Sequence, residues 1–205
     1  MVFYSLNFRI NKTLEKMKKI SLLLLALTLS VVACKQNKKD TEVVETEIIE
    51  VETPIGKTLT VALSPKSDSN VSGSVVFTEE NGTVNMVASI TGAEPGVHAI
   101  HIHASSDCSS PDGTSTGGHW NPTAQPHGKW DAETGYHKGD IGNFTADENG
   151  NAKVEFSTDE WCIGCDDDTK NIIGKGVIVH AGVDDFTTQP TGNAGGRVSC
   201  AGIIE

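Results

Sequence analysis

"GVHAIHIH", Gly96 to His103, is the stretch that decides the fold. Its alternation puts Ile100 and Ile102 on one face and His101 and His103 on the other, which is the two-residue period of a strand. One face can enter a core while the other turns two imidazoles toward a single point. An i, i+2 pair of this kind can grip one ion from one side. His98 falls on the isoleucine face and reads as a hydrogen-bonded core histidine that supports the site without being a ligand.

Working outward, short apolar stretches recur with turn signals between them: "KTLTVALS", "GSVVFTEE" and "TVNMVASI" before it, then "AKVEFS", "GKGVIVH" and "GRVSCAGII" after it. Glu80-Asn81-Gly82 and Asp147-Glu148-Asn149-Gly150 are hairpin signals. No stretch after Cys34 sustains a helical period. The chain therefore reads as all-β, an antiparallel barrel or sandwich of about seven or eight strands. Two intervals are too long for hairpin connections, Ala104 to Gly139 and the shorter Ala181 to Gly195. Both follow a strand that ends in histidine, and loops of such length usually carry function.

The first of these loops holds His119, His127 and His137, with Asp140 three residues after the last. Three imidazoles and a carboxylate fill a tetrahedral set for Zn²⁺, and a filled set points to structural rather than hydrolytic zinc. His180 ends "GVIVH"; with His101 and His103 it makes an imidazole-rich site of the kind that suits copper.

With 205 residues, 37% hydrophobic and 21% charged, the chain suits one globular domain plus appended sequence. The appended part comes first. Met17-Lys18-Lys19 leads into an apolar run from Ile20 to Val32, too short to span a bilayer, and Met17 is a second plausible start. The run ends on Val31-Val32-Ala33-Cys34, which resembles a lipobox: residues 1–33 read as a lipoprotein-type signal peptide and Cys34 as the lipidated first residue. An ordinary secretory signal is the alternative. Residues 34–54 form an acidic, flexible tether, or an edge strand through its Val and Ile residues, and 55–205 the domain. Cleavage removes Arg9, Lys12, Lys16, Lys18 and Lys19 against Glu15 alone, so the net charge moves from −11 to −15. So acidic a surface argues against nucleic acid or anionic lipid as the main partner.

"HAIHIHASSDC", "GGHWNP", "PHG", "GYHKGDIGNFTAD", "GVIVHAGVDD" and "TGNAGGRVSCAG" resemble, in this order, the motifs of copper–zinc superoxide dismutases. The resemblance runs from about Lys57 to Ile204 and sharpens the fold to a Greek-key β-barrel of about eight strands with two long functional loops. It implies one copper ion and one zinc ion per subunit. Copper falls to His101, His103, His119 and His180, and zinc to His119, His127, His137 and Asp140, with His119 bridging. Asp184 would link His101 to His127, and Arg197 would guide superoxide to copper. The resemblance pairs Cys108 with Cys200. Together with the lipobox likeness at Cys34 it gives an exported protein of the bacterial cell envelope, in the periplasm and lipid-anchored to a membrane, and it allows a homodimer. An envelope copper or zinc delivery lipoprotein without dismutase activity is the alternative.

Three departures stand out. "WCIGCDDDTKN" brings Cys162 and Cys165, for which a local disulfide or inert thiols is the favoured reading, a redox or metal-transfer site the other. The spacing from His127 to His137 is slightly long. The stretch from Asp185 to Arg197 is short and lacks charged guidance residues, leaving steering to Arg197 and to lysines such as Lys138.

Overall fold

The computed structural model describes residues 56–205. The signal run, Cys34 and the 34–54 tether lie outside these residues. Eight strands follow in chain order: β1 (Lys57–Pro65), β2 (Ser72–Glu80), β3 (Thr83–Thr91), β4 (Gly96–His103), β5 (Gly142–Ala146), β6 (Ala152–Thr158), β7 (Gly176–His180) and β8 (Arg197–Gly202), with one 3₁₀ turn at Thr114–Thr116. Their spatial order is β5-β4-β7-β8-β1-β2-β3-β6, and every pairing is antiparallel. This is a nearly closed Greek-key barrel.

The local rules are visible in β3, where Val84, Met86, Ala88 and Ile90 are buried in strict alternation. Asn81 and Gly82 both take positive φ, 52° and 78°, and join β2 to β3 as a two-residue hairpin. That backbone is the one Asn-Gly favours. The second turn signal behaves differently. Gly150 N–H donates to Asp147 O, closing a tight turn, yet β5 and β6 on either side pair with β4 and β3. A turn signal fixes the reversal, and the partner of each strand is decided by where its apolar face can be buried. β5 was not among the apolar stretches: of its residues only Phe144 is a large apolar side chain in the core.

β4 and β7 carry the site. They pair His101 with Ile178 and His103 with Gly176, and an irregularity at Val179/His180 sets His180 opposite Arg197 of β8. All five residues of β7 are buried, so the strand is apolar on both faces rather than alternating. Ile100, Ile102, Val177 and Val179 belong to the hydrophobic core. The long loop is sewn onto β4 by backbone hydrogen bonds: Trp120 N–H donates to Ile102 O (2.8 Å), and Ile102 N–H to Gly139 O (2.9 Å). Gly139 permits this approach, since a Cβ there would sit 2.1 Å from Ile102 O.

Candidate metal centre

Two overlapping sets of four side chains meet on the barrel wall. His101, His103, His119 and His180 form the first, and His119, His127, His137 and Asp140 the second; within each, one ligand atom per residue lies within 4.8 Å of the others. All seven residues are buried. His119 belongs to both sets and reaches β4 through a bridge to His103.

The surroundings orient five of the six rings. Carbonyl and carboxylate oxygens only accept, so a ring nitrogen facing one carries the proton and leaves the other with a free lone pair. His103 Nδ1 donates to Gly117 O (2.9 Å) and His180 Nδ1 lies 3.3 Å from Gly195 O. Their Nε2 atoms are left facing each other at 3.3 Å. Asp184, 1% exposed, takes Nε2–H of His101 on one carboxylate oxygen and Nε2–H of His127 on the other, both at 2.9 Å. The Nδ1 atoms of these two rings are thereby freed. His119 Nδ1 lies 2.8 Å from Asp140 Oδ1, which leaves Nε2 for the first set.

Four ring nitrogens, His101 Nδ1, His119 Nε2, His127 Nδ1 and His137 Nδ1, are buried without a hydrogen-bond partner. An unpaired buried polar atom costs about 1–3 kcal/mol, so four in one cluster mark a place built for a cation. His127 Nδ1 and His137 Nδ1 approach Asp140 at 3.0 and 3.2 Å without hydrogen-bond geometry, as donors arranged around a common centre do. Four imidazoles suit copper, and three imidazoles with a carboxylate make a closed zinc-type set. The residues present therefore fit both ions.

Electrostatics divide the two sets. Burial, reinforced by charge on His101, lowers His180 to about 3, and burial lowers His119 to about 4. His103 is held well below the usual histidine value by burial and by His119. His127 runs the other way. Burial opposes its charged form, but the carboxylates of Asp140 and Asp184 on its two sides prevail and raise it to about 9. Burial alone would raise Asp140 and Asp184; their histidine hydrogen bonds hold both well below the usual carboxylate range.

Residues 71–203, more than half of the chain, match the family model described as copper/zinc superoxide dismutase. The chain belongs to the copper/zinc superoxide dismutase family. Among solved structures it is similar to a double mutant of a superoxide dismutase-like protein from Bacillus subtilis, at 28% identity and a TM-score of 0.64, covering 71% of this chain and 97% of that one. The superoxide dismutase-like protein itself gives 26% and 0.63, with coverage of 71% and 97%. The clock protein EA4 gives 33% and 0.62, with coverage of 73% and 96%.

Arg197, on β8 opposite His180, is tied to the long loop. Its guanidinium donates through Nη1 to Gly113 O (2.8 Å) and Thr116 Oγ1 (2.9 Å), and burial lowers its pKa against the pull of Asp112. The same charge opposes protonation of His103 and His180. Lys138, expected to share in steering, is paired with the carboxylate of Glu160. His98 lies outside both sets, its ring nitrogens 3.0 Å from His180 O and 2.7 Å from Glu94 O.

Cys108 and Cys200 form a disulfide across 92 residues, tying the long loop to β8, and Cys162–Cys165 is a second, local disulfide rather than a pair of inert thiols. Several residues that shape the site were not anticipated. Asn143 brackets the Asp184 backbone, and Gln189 brackets that of His127 with two 2.9 Å hydrogen bonds. Gly192 lets Asp184 pass, since a Cβ there would fall 1.7 Å from its Oδ1. Nothing in local sequence marks an amide that acts across 41 or 62 residues.

Proposed function

We propose that this chain is a superoxide dismutase, converting two superoxide anions and two protons to oxygen and hydrogen peroxide. The observation that carries the reading is the single shared imidazole, His119, between a four-histidine set and a three-histidine, one-aspartate set, with four buried ring nitrogens left unpartnered between them. His101, His103, His119 and His180 would hold copper, and His119, His127, His137 and Asp140 zinc. When bound, copper supplies one-electron redox chemistry and zinc, without redox states of its own, a fixed charge and a fixed geometry.

The chain's own residues do the rest. Arg197 presents a cation beside the first set, and a local cation in a cleft attracts a small anion even on a chain of net charge −11. With Nδ1 of His119 turned toward the second set, Nε2 is the atom at which a proton can be held and passed to reduced substrate. Asp184 keeps His101 and His127 in their ligating tautomers.

The test is superoxide removal by the metal-loaded protein and its Arg197→Glu variant. The variant is expected to retain both metals and lose roughly ten- to a thousandfold in rate. Unchanged rates would remove Arg197 from the mechanism. A metal-loaded wild type without activity would instead favour a copper or zinc delivery lipoprotein. In the same reading Cys34 carries the lipid that anchors the protein to a membrane of the bacterial envelope; incorporation of labelled fatty acid in the wild type but not in Cys34→Ser checks it.

A further inference from the structure

The two neighbours of His137 are held from outside the metal sets. Tyr136 OH donates to Glu160 Oε1 (2.7 Å), Lys138 Nζ pairs with the other oxygen of the same carboxylate, and Trp161 Nε1–H donates to Lys138 O (2.8 Å). Trp161 is 0% exposed and packs among Phe77, Phe156 and Trp130, whose ring in turn lies 4.8 Å from that of Tyr136. Glu160 and Trp161 thus grasp the chain at three points, on both sides of a residue that no strand holds.

The grip has its own anchor. Directly after Trp161 comes Cys162, cross-linked to Cys165. Across this turn Cys162 N–H donates to Lys170 O (2.8 Å) and Ile172 N–H to Cys162 O (3.0 Å). The Asn171 side chain accepts from Gly164 N–H and donates to Cys165 O, both at 3.0 Å. As a staple for the whole fold this disulfide is poorly placed. It spans 3 residues where Cys108–Cys200 spans 92, and a short loop removes little entropy from the unfolded chain. Its leverage is local.

We propose that the Cys162–Cys165 disulfide is a positioning element for the second metal set: it closes the turn behind Glu160 and Trp161, which hold Tyr136 and Lys138 and, through them, His137. Among the described residues, none of the hydrogen bonds of Glu160, Trp161 or Cys162 reaches the first set. The effect is therefore selective for the zinc half. Groups that orient a ligand from outside are worth about 10–100-fold in affinity, and a strap one step further out about three- to tenfold.

Two variants of the full chain test this: Cys162→Ser/Cys165→Ser, and Trp161→Phe, which keeps an aromatic ring but removes the Nε1–H donor. The first measurement is amide exchange in the metal-free protein. Exchange at His137, Gly139 and Asp140 is expected to quicken several-fold in both variants, with Val177 and Val179 unchanged. The second is chelator competition with each ion, where zinc affinity is expected to fall about three- to tenfold and copper affinity to hold. Wild-type exchange and zinc affinity in both variants overturn the proposal, as does equal loss of the two ions. If the double variant does not fold, Cys165→Ser, which also opens the disulfide, takes its place beside Trp161→Phe. Only the affinity measurement rests on the proposed zinc role. A wild type that binds no zinc would refute that role, while exchange still decides the strap.

Discussion

The two halves of the metal centre are made of different material. Three of the four residues in the first set stand on strands, His101 and His103 on β4 and His180 on β7, locked into one sheet by the β4–β7 ladder. The second set has no strand residue at all: His119, His127, His137 and Asp140 lie in the long loop between β4 and β5. The first is positioned by backbone pairing over a hydrophobic core. The second depends on a chain of side-chain brackets, with Asp140, Asp184, Gln189 and Glu160 each fastening a different part of the loop. Sheet geometry supplies a preformed site, whereas loop geometry has to be assembled from long-range polar contacts. The first half is preformed by the sheet, and the second is the one that a bound ion would complete.

His119 is the joint between the halves, and removing it is expected to have the largest effect. In His119→Ala each set keeps only three ligands. Affinity for both ions should fall by more than about a hundredfold, beyond what loss of an orienting group costs. Chelator competition with copper and zinc reads this directly. Copper binding within tenfold of wild type would mean that the strand residues suffice and that the two halves are not joined through His119.

Asp184→Asn comes next, because one carboxylate serves both halves. The amide has one accepting oxygen and turns an N–H₂ group toward the second histidine, so one ring loses its fixed tautomer. A loss of about 10–100-fold in affinity is expected, larger for zinc than for copper. His101 is held by β4 whether or not Asp184 grips it; His127 has no strand to fall back on. A larger loss at copper would reverse the contrast between sheet and loop.

That contrast also explains what could be read from sequence. The ligands on β4 were legible because a two-residue period says which side chains share a face, and because imidazoles announce their chemistry by type. The apolar strands were legible for the same reason. β5 was not, since Gly142, Asn143 and Thr145 give no apolar signal and Phe144 alone faces the core among large side chains. The role of Asp184 came through the likeness to a family rather than from its own surroundings. Asn143, Gln189, Glu160 and Trp161 escaped notice because their partners lie 41, 62, 24 and 23 residues away, distances at which sequence carries no periodicity. The pairing of Lys138 with Glu160 was unforeseen on the same ground, its partner lying 22 residues away.

Asn143 offers the smallest effect and the finest test. From β5 it donates through Nδ2 to Asp184 O and accepts from Asp184 N–H, both at 2.9 Å, so it fastens the backbone of the orienting carboxylate to the sheet. In Asn143→Ala the buried Asp184 backbone loses both partners, and the metal-free protein should lose about 1–3 kcal/mol in denaturant unfolding. The carboxylate itself keeps His101, His127 and the Phe186 N–H, which hold it in place from the other side. Metal affinities should therefore fall only about two- to fivefold, well under the cost of Asp184→Asn. The fall should again be larger for zinc. A loss as large as that of Asp184→Asn would show that β5, through one amide, governs the loop half as firmly as the carboxylate does, and would extend the sheet's control across the whole centre.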